Sequence, residues 1–221
     1  MSCSIDASCH TRYGAVVSAF VPTIGIAGGI CSGKSEVARL LGELGCVVSV
    51  SDDLARRVLE LPQVCEQISA VAGNAVRAAD GSIDRAALAR AIFTSADVRN
   101  AVEAIMHPRI EELRRAHFDA AAVGVPGFVI DAPLLLEAGV DRICDAVIFV
   151  DAPTALRHAR AISDRAWSAD ELARREAAQF SLAQKRERCS DTVFNDGDRE
   201  SLARQVRAVF ARICARGPRN H

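Results

Sequence analysis

The chain is poor in lysine, in aromatic side chains and in net charge. Its 27 basic residues include just two lysines, Lys34 and Lys185, and aromatic residues make up 5% of its 221 positions. A formal net charge of −1 disfavours an extended nucleic-acid-binding face, so no nucleic-acid partner is expected. An arginine-rich chain is expected to keep lysine where a compact ammonium is needed, or by chance.

Long apolar runs and paired cysteines are missing too. The longest apolar stretch, residues 120–130, contains two glycines and a proline and is too short to span a bilayer, so it is interpreted as a loop leading into a buried strand. The eight cysteines are scattered without a C-x-x-C pair, which predicts free thiols in a reducing cytoplasm and no structural zinc. The first residues lack a basic segment, so neither a targeting peptide nor a membrane partner is expected.

Short apolar runs alternate with helical patterns along the chain. We predict strands at 21–27, 46–50, 128–130 and 146–150, and a β-like run at 192–194 before a closing helix. Helices are predicted from Gly33 to Gly45, over most of 54–117 and over 157–184. This alternation predicts an α/β fold, a parallel β-sheet sandwiched by helices. Residues 1–20 lack clear periodicity and are predicted to be an N-terminal extension, the alternatives being a disordered segment, a miscalled start or an added edge strand.

A glycine-rich segment between the first predicted strand and helix matches the pattern G-x-x-x-x-G-K-[ST]. Its glycines let backbone N–H groups turn towards phosphate oxygens, and the following helix adds the positive end of its dipole. Lys34 is expected to reach the β- and γ-phosphates of ATP, and the Ser35 hydroxyl to bind Mg²⁺. The predicted ATP-binding residues are Gly28, Gly29, Ile30, Cys31, Ser32, Gly33, Lys34 and Ser35.

Three aspartates follow predicted strands, where ligands of open α/β sheets bind. Asp131 is predicted to hold Mg²⁺, the alternatives being a solvated strand end or a helix cap. Asp52 is predicted to orient an acceptor hydroxyl and take up its proton, the alternative being an N-cap for a helix beginning near Leu54, which Asp53 could equally supply. Asp151 is predicted to cap the next helix.

From about residue 23 to residue 209 the chain resembles the dephospho-CoA kinase family. The loop at 28–35 is similar to that family's GGIGSGKS, and residues 131–137 are similar to its DxPLLxE. Weaker matches follow in the family's order. They are Ser51-Asp52 with Leu54-Ala55-Arg56, Asp80-Gly81, Ala91-Ile92-Phe93, Met106-His107-Pro108, Arg160, Gln179, and Asp191 with Asn195 and Gly197.

The resemblance implies ATP-dependent phosphorylation of the ribose 3′-hydroxyl of dephospho-CoA, giving coenzyme A and ADP with the help of Mg²⁺. It also implies a P-loop NTPase core with two additions. The core is expected at 21–54, 126–157 and 189–215, a helical acceptor-binding insert at 55–125, and a lid at 158–188.

Site residues are implied where this sequence matches the family's motifs. Arg160 would stabilise the transferring phosphate from the lid, alongside Lys34, and Asn195 with Gly197 would lie near adenine. The acceptor-binding residues would be Asp52, Arg56, His107, Pro133 and Leu134. For Arg56 the residues alone equally allow a solvated charge, and for His107 a local backbone contact.

The chain departs from the family in three places. Val50 stands where the family often has an aspartate, two residues before Asp52. The family's Arg-Asp pair in the lid is reversed here as Asp164-Arg165, which makes Arg160 the better candidate for phosphate. Cys31 replaces a loop glycine at a position expected to need a positive φ, at a cost of about 1 kcal/mol.

Two other functions remain compatible with the residues taken alone. One is a P-loop kinase that acts on a nucleoside or nucleotide. The other is a regulatory protein that binds ATP without transferring phosphate, an interpretation that the changes at positions 31 and 50 favour. The sequence gives no indication of oligomeric state.

Overall fold

In this computed structural model, residues 20–121 and 124–218 are described. The predicted extension at 1–20 lies outside the described residues, apart from Phe20. The described part contains one sheet of five parallel strands in the order β2-β3-β1-β4-β5. The strands are β1 (Thr23–Gly28), β2 (Val47–Val50), β3 (Phe128–Asp131), β4 (Ala146–Asp151) and β5 (Asp191–Phe194).

The described part also contains nine α-helices. The helices are α1 (Lys34–Glu43), α2 (Ser51–Leu59), α3 (Pro62–Ala72), α4 (Arg85–Thr94), α5 (Ala96–Asp119), α6 (Thr154–Arg165), α7 (Ala169–Ala177), α8 (Leu182–Glu187) and α9 (Arg199–Arg216). Two short 3₁₀ turns accompany them, Asn74–Val76 between α3 and α4 and Val140–Ile143 between β3 and β4. None of the described helices is both long and apolar enough to cross a membrane.

The sheet is buried on both faces, as its apolar strands predict. On one face Ile24 and Ile26 of β1 pack with α1 and α9, which bury Leu41 and Val206. The other face is covered by the segment after β3, including Leu135, with help from α5 and α8. Each fully buried aliphatic side chain contributes about 1.5–3 kcal/mol. The core therefore holds the carboxyl ends of the strands in fixed register.

Helices α2 to α5 build a second apolar core outside the sheet. Val58, Ile68 and Val102 are buried there, from three different helices. The helical region predicted over most of 54–117 is interrupted before Pro62, at Gly73 and around residues 80–81. These four helices thus pack against one another, and α2 begins directly after the end of β2.

Two helix predictions need correction. The helix expected near Leu54 begins at Ser51, with Val50 as its N-cap, so Asp52 lies in the first turn and does not cap it. The single helix expected over 157–184 is three helices. Ala166, at φ 53°, ends α6 there. The Ser168 and Ser181 hydroxyls then cap the next two helices, in line with the preference of serine for N-caps.

Candidate active site

The glycine-rich loop joins β1 to α1 in the conformation that a phosphate cradle requires. Gly33 precedes the helix at φ 94°, in the left-handed region. A Cβ added there would lie 2.1 Å from Asn195 Nδ2, far inside contact distance. At Gly28 a Cβ would lie 2.7 Å from both Ser32 Oγ and the Val150 carbonyl oxygen. Both glycines are therefore required by space as well as by backbone angle.

Substituting Gly33 with alanine is expected to weaken ATP binding at least about tenfold, because the left-handed angle alone costs roughly 1–2 kcal/mol and Asn195 must also move. Titration calorimetry with ATP measures this. Gly42→Ala is the matched control, since Gly42 lies within α1 and its added Cβ meets Val48 at an ordinary 3.4 Å. Equal affinity of the two variants would contradict the assignment of the loop.

Cys31 occupies the left-handed region too, at φ 57°, which confirms the expected positive angle. A residue with a Cβ in this region costs about 1 kcal/mol relative to glycine. The side chain is half-buried and packs against the small cluster of Ile30, Ala161 and Leu172. These apolar contacts help to offset the backbone strain.

The Lys34 side chain folds back over the loop. Its Nζ donates to the carbonyl oxygens of Gly29 at 2.9 Å and Gly28 at 3.4 Å. The pKa of Lys34 is lowered to about 8, mainly by burial and also by the nearby ammonium of Lys185, whereas Asp131 opposes the shift. An ammonium with so few anionic partners is well suited to receive phosphate oxygens.

Three side chains from outside the loop bind its carbonyl oxygens. Arg157 Nη1 donates to Ile30 O at 3.4 Å, Arg160 Nη1 to Cys31 O at 3.3 Å, and Asn195 Nδ2 to Ser32 O at 2.8 Å. With the carbonyls held in this way, the loop N–H groups can turn towards an anion. Arg157 is itself buried and pairs with Glu176 of α7. Sequence reasoning missed Arg157, which carries no local signal beyond its charge.

A cleft of about 1150 Å³ opens at the carboxyl ends of β1, β2 and β3. It extends from the glycine-rich loop to the junction of β2 and α2, where Val50 and Asp52 border it. The remaining predicted site residues that line it are Ile30, Cys31, Ser32, Gly33, Lys34, Ser35, Asp131, Pro133, Leu134, Arg160, Asn195 and Gly197. Residues far apart in the sequence therefore form one site.

Two predicted acceptor residues do not line this cleft. Arg56 is exposed and forms an ion pair with Asp53 one turn earlier in α2. His107 is exposed on α5, which continues through Pro108 without a break. Their contact with an acceptor stays a prediction.

Asp131 ends β3 with its side chain at the cleft, and the residue is 6% exposed. No described residue donates a hydrogen bond to its carboxylate, which leaves the oxygens available to a ligand. The Ser35 hydroxyl borders the same cleft. Carboxylate and hydroxyl oxygens suit Mg²⁺, which keeps several waters and phosphate oxygens of its own. Among the described residues no group of three or more His, Cys, Asp or Glu forms a metal site unaided.

The prediction that Asp151 caps the next helix is wrong. Helix α6 has Pro153 at its N-cap and no side-chain cap, while the Asp151 carboxylate pairs with Arg186 of α8. The fold brings Arg186 close to Asp151, and this ion pair replaces the predicted helix cap.

Helices α6 and α7 bring more cations to the cleft than the sequence indicated. Arg165, of the reversed Asp164-Arg165 pair, borders the cleft, with its guanidinium 5.0 Å from the Trp167 ring centroid. The Arg175 guanidinium lies 4.3 Å from the centroid of the same ring, and Arg175 also borders the cleft. Trp167 and Arg175 were missed by sequence reasoning, because neither belongs to a motif.

Comparison with known proteins identifies the family. The model of the family described as dephospho-CoA kinase matches residues 22–201. The chain belongs to this family. A dephospho-CoA kinase from Moorella thermoacetica is 38% identical over 199 residues, 86% of this chain and 91% of the relative. One from Geobacter sulfurreducens is 38% identical over 194 residues, 86% of this chain and 97% of the relative.

Solved structures agree with the fold. A Thermus thermophilus protein of known crystal structure is 34% identical and superposes with a TM-score of 0.78, over 87% of this chain and 98% of its own. A dephospho-CoA kinase from Campylobacter jejuni, at 18% identity and a TM-score of 0.54, covers 87% of this chain and 97% of its own. The P-loop kinase fold expected from the sequence is confirmed.

Proposed function

We propose that this chain transfers the γ-phosphate of ATP to the ribose 3′-hydroxyl of dephospho-CoA, the reaction of its family. One observation carries the proposal: a single cleft is bordered by the phosphate loop on one side and by Asp52 on the other. A phosphoryl donor and a hydroxyl acceptor bound at these two places would face each other, which is the main requirement for this kind of transfer.

The proposed role of each charged residue follows from the charge of its side chain. Lys34 and Arg160 would bind the oxygens of the transferring phosphate, and Arg165 borders the same space. Asp52 would accept a hydrogen bond from the attacking hydroxyl, orient it and take up its proton. Gly197 would line the adenine side together with Asn195, whose amide also braces the loop.

Ser35 and Asp131 would hold Mg²⁺. When bound, the ion supplies positive charge to the phosphate oxygens and helps to fix their orientation. Independently of the ion, the buried Asp131 carboxylate lies near Lys34 and favours its charged form. The two residues thus act on the same region of the cleft.

The insert, residues 55–125, would bind the rest of the acceptor, and the lid, residues 158–188, would cover the phosphates. Pro133 and Leu134 are exposed at the cleft and offer an apolar surface to the acceptor. We place the reaction in the cytoplasm, supported by the free cysteines of the described residues, and propose no nucleic-acid or membrane partner.

A panel of acceptors tests the proposal. ADP release is measured with ATP, Mg²⁺ and one acceptor at a time: dephospho-CoA, a nucleoside, a nucleotide, shikimate or gluconate. We expect ADP above background with dephospho-CoA alone. Background rates with every acceptor would leave an ATP-binding regulatory protein as the better interpretation, and turnover with a nucleoside would favour the other class of kinase.

Bound ATP and Mg²⁺ are expected to protect Cys31 from alkylation, because the thiol belongs to the loop that surrounds the phosphates. Mass spectrometry of peptides after timed exposure to iodoacetamide measures the rate at each cysteine. Cys214 of α9 is the internal control, since it is half-buried and lies outside the cleft. If ATP left the Cys31 rate unchanged, the thiol would not lie in the occupied cradle.

A further inference from the structure

A buried charged cluster lies under the lid side of the cleft. Lys185, on α8, is 2% exposed and is one of the largest fully buried side chains of the described part. Its Nζ lies 3.0 Å from Glu137 Oε1 and donates to Gln179 Oε1 at 2.8 Å. The same Glu137 oxygen accepts the backbone N–H of Phe180 at 3.0 Å. The cluster therefore ties the segment after β3 to the segment between α7 and α8.

The cluster determines which way the Gln179 amide faces. An ammonium has only donors, so it can bind the amide oxygen and not the amide nitrogen. The NH₂ group of Gln179 must then point away from Lys185. Gln179 borders the same cleft as Lys34 and Ser35 of the phosphate loop, and no acceptor for its Nε2 is found in residues 20–121 and 124–218. The side chain thus offers donors to the cleft in which the phosphates of ATP would lie.

Stability alone does not account for a lysine at this position. Taking an ammonium and a carboxylate out of water costs several kcal/mol per ion, which the attraction between them seldom exceeds. The cluster is not even fully satisfied, since Glu137 Oε2 is buried without a hydrogen-bond partner in the described part of the chain. An apolar pair of similar volume would stabilise the fold as well.

We propose that Gln179 binds phosphate and that Lys185 is its positioning residue: the ammonium, held by Glu137, fixes the amide so that its NH₂ donates to a phosphate oxygen of bound ATP. The inference rests on the proposed function for its ligand. Beyond that function, it assigns a specific role to Lys185, the second of the two lysines in this arginine-rich chain. An arginine would present a longer, planar group to a space that accepts a compact ammonium.

Gln179→Glu is the most informative variant. Its carboxylate still accepts from Lys185, so the fold is retained, but it has no donor and repels phosphate. We expect ATP affinity, measured by calorimetry without acceptor, and kcat/KM for ATP to fall about 10- to 100-fold. The KM for dephospho-CoA should stay within about twofold. Gln184→Glu, which preserves the α8 capping box and lies off the cleft, is the charge-matched control.

An ATP affinity of Gln179→Glu within twofold of the control would overturn the phosphate-binding role. ATP affinity is measured without acceptor, so this result does not depend on the proposed function. Failure of the proposed function would show as absent product in the unsubstituted protein. The measurement therefore separates the two claims.

The positioning role is tested by removing both buried charges together. The double variant Glu137→Gln, Lys185→Met avoids an unpaired buried ion, and its melting temperature reports the fold. We expect it to lose ATP affinity about as much as Gln179→Ala does. Adding Gln179→Ala to it should cause no further loss, since both changes remove one contact. Fully additive losses, or an unchanged affinity of the double variant, would overturn the positioning role.

Discussion

Replacing Lys34 with alanine is expected to lower kcat on the order of 10³-fold, the loss seen when one preorganised donor to a developing charge is removed. The ammonium already lies over the loop, on the carbonyl oxygens of Gly28 and Gly29, so little rearrangement is needed to meet a phosphate. Steady-state rates at saturating ATP and dephospho-CoA measure the effect. Circular dichroism should show an unchanged fold, because Lys34 is not part of the apolar core.

Two further variants test whether the effect is specific to position 34 and to the ammonium group. Arg204→Ala removes an exposed positive charge on α9 that pairs with Glu200 and lies off the cleft, and it should retain full activity. Lys34→Arg keeps the charge but replaces a compact group with a planar fork, and it should remain strongly impaired. If Lys34→Arg were fully active, charge alone would suffice and the specific role of the ammonium would be wrong.

Asp52→Asn is expected to lower kcat by about 10²- to 10⁴-fold, the usual contribution of a positioned acid or base. The KM for ATP should change less than about threefold, since Asp52 borders the cleft from α2 and not from the phosphate loop. Asparagine keeps the size of the side chain but cannot take up a proton. Separate titrations of ATP and dephospho-CoA give the two KM values and kcat.

The adjacent aspartate provides the matched control. Asp53 is exposed, pairs with Arg56 and does not border the cleft, so Asp53→Asn should stay within about twofold of the unsubstituted rate. Loss of activity in both variants alike would attribute the effect to the start of α2. A near-normal kcat for Asp52→Asn would exclude the base role.

The sheet and the phosphate loop could be predicted because their signals are local. Apolar strands buried on both faces are continuous in the sequence, and a left-handed turn demands glycine at fixed spacing. The same holds for the position of Asp131 at the cleft, because this residue ends β3. Cys31 was recognised as strained for this reason, and its φ of 57° confirms it.

The hydrogen bonds that hold the phosphate loop could not be predicted, because they join segments far apart in the sequence. Arg157 reaches Ile30 across 127 residues and Asn195 reaches Ser32 across 163. Nothing in the sequence around Arg157 distinguishes it from the other arginines. Asp151 shows the converse, because its local pattern indicated a helix cap but its carboxylate pairs with Arg186. Lys185 had a usable signal, its rarity, but rarity does not name a partner.

The central claim, transfer of phosphate to one particular hydroxyl, is tested most directly by identifying the product. The purified chain is incubated with ATP, Mg²⁺ and dephospho-CoA, and the products are separated by chromatography and weighed by mass spectrometry. The account predicts a product heavier by one phosphoryl group that co-elutes with coenzyme A, and none from the 3′-deoxy analogue. Phosphorylation of that analogue, or ATP consumed without a phosphorylated acceptor, would contradict it.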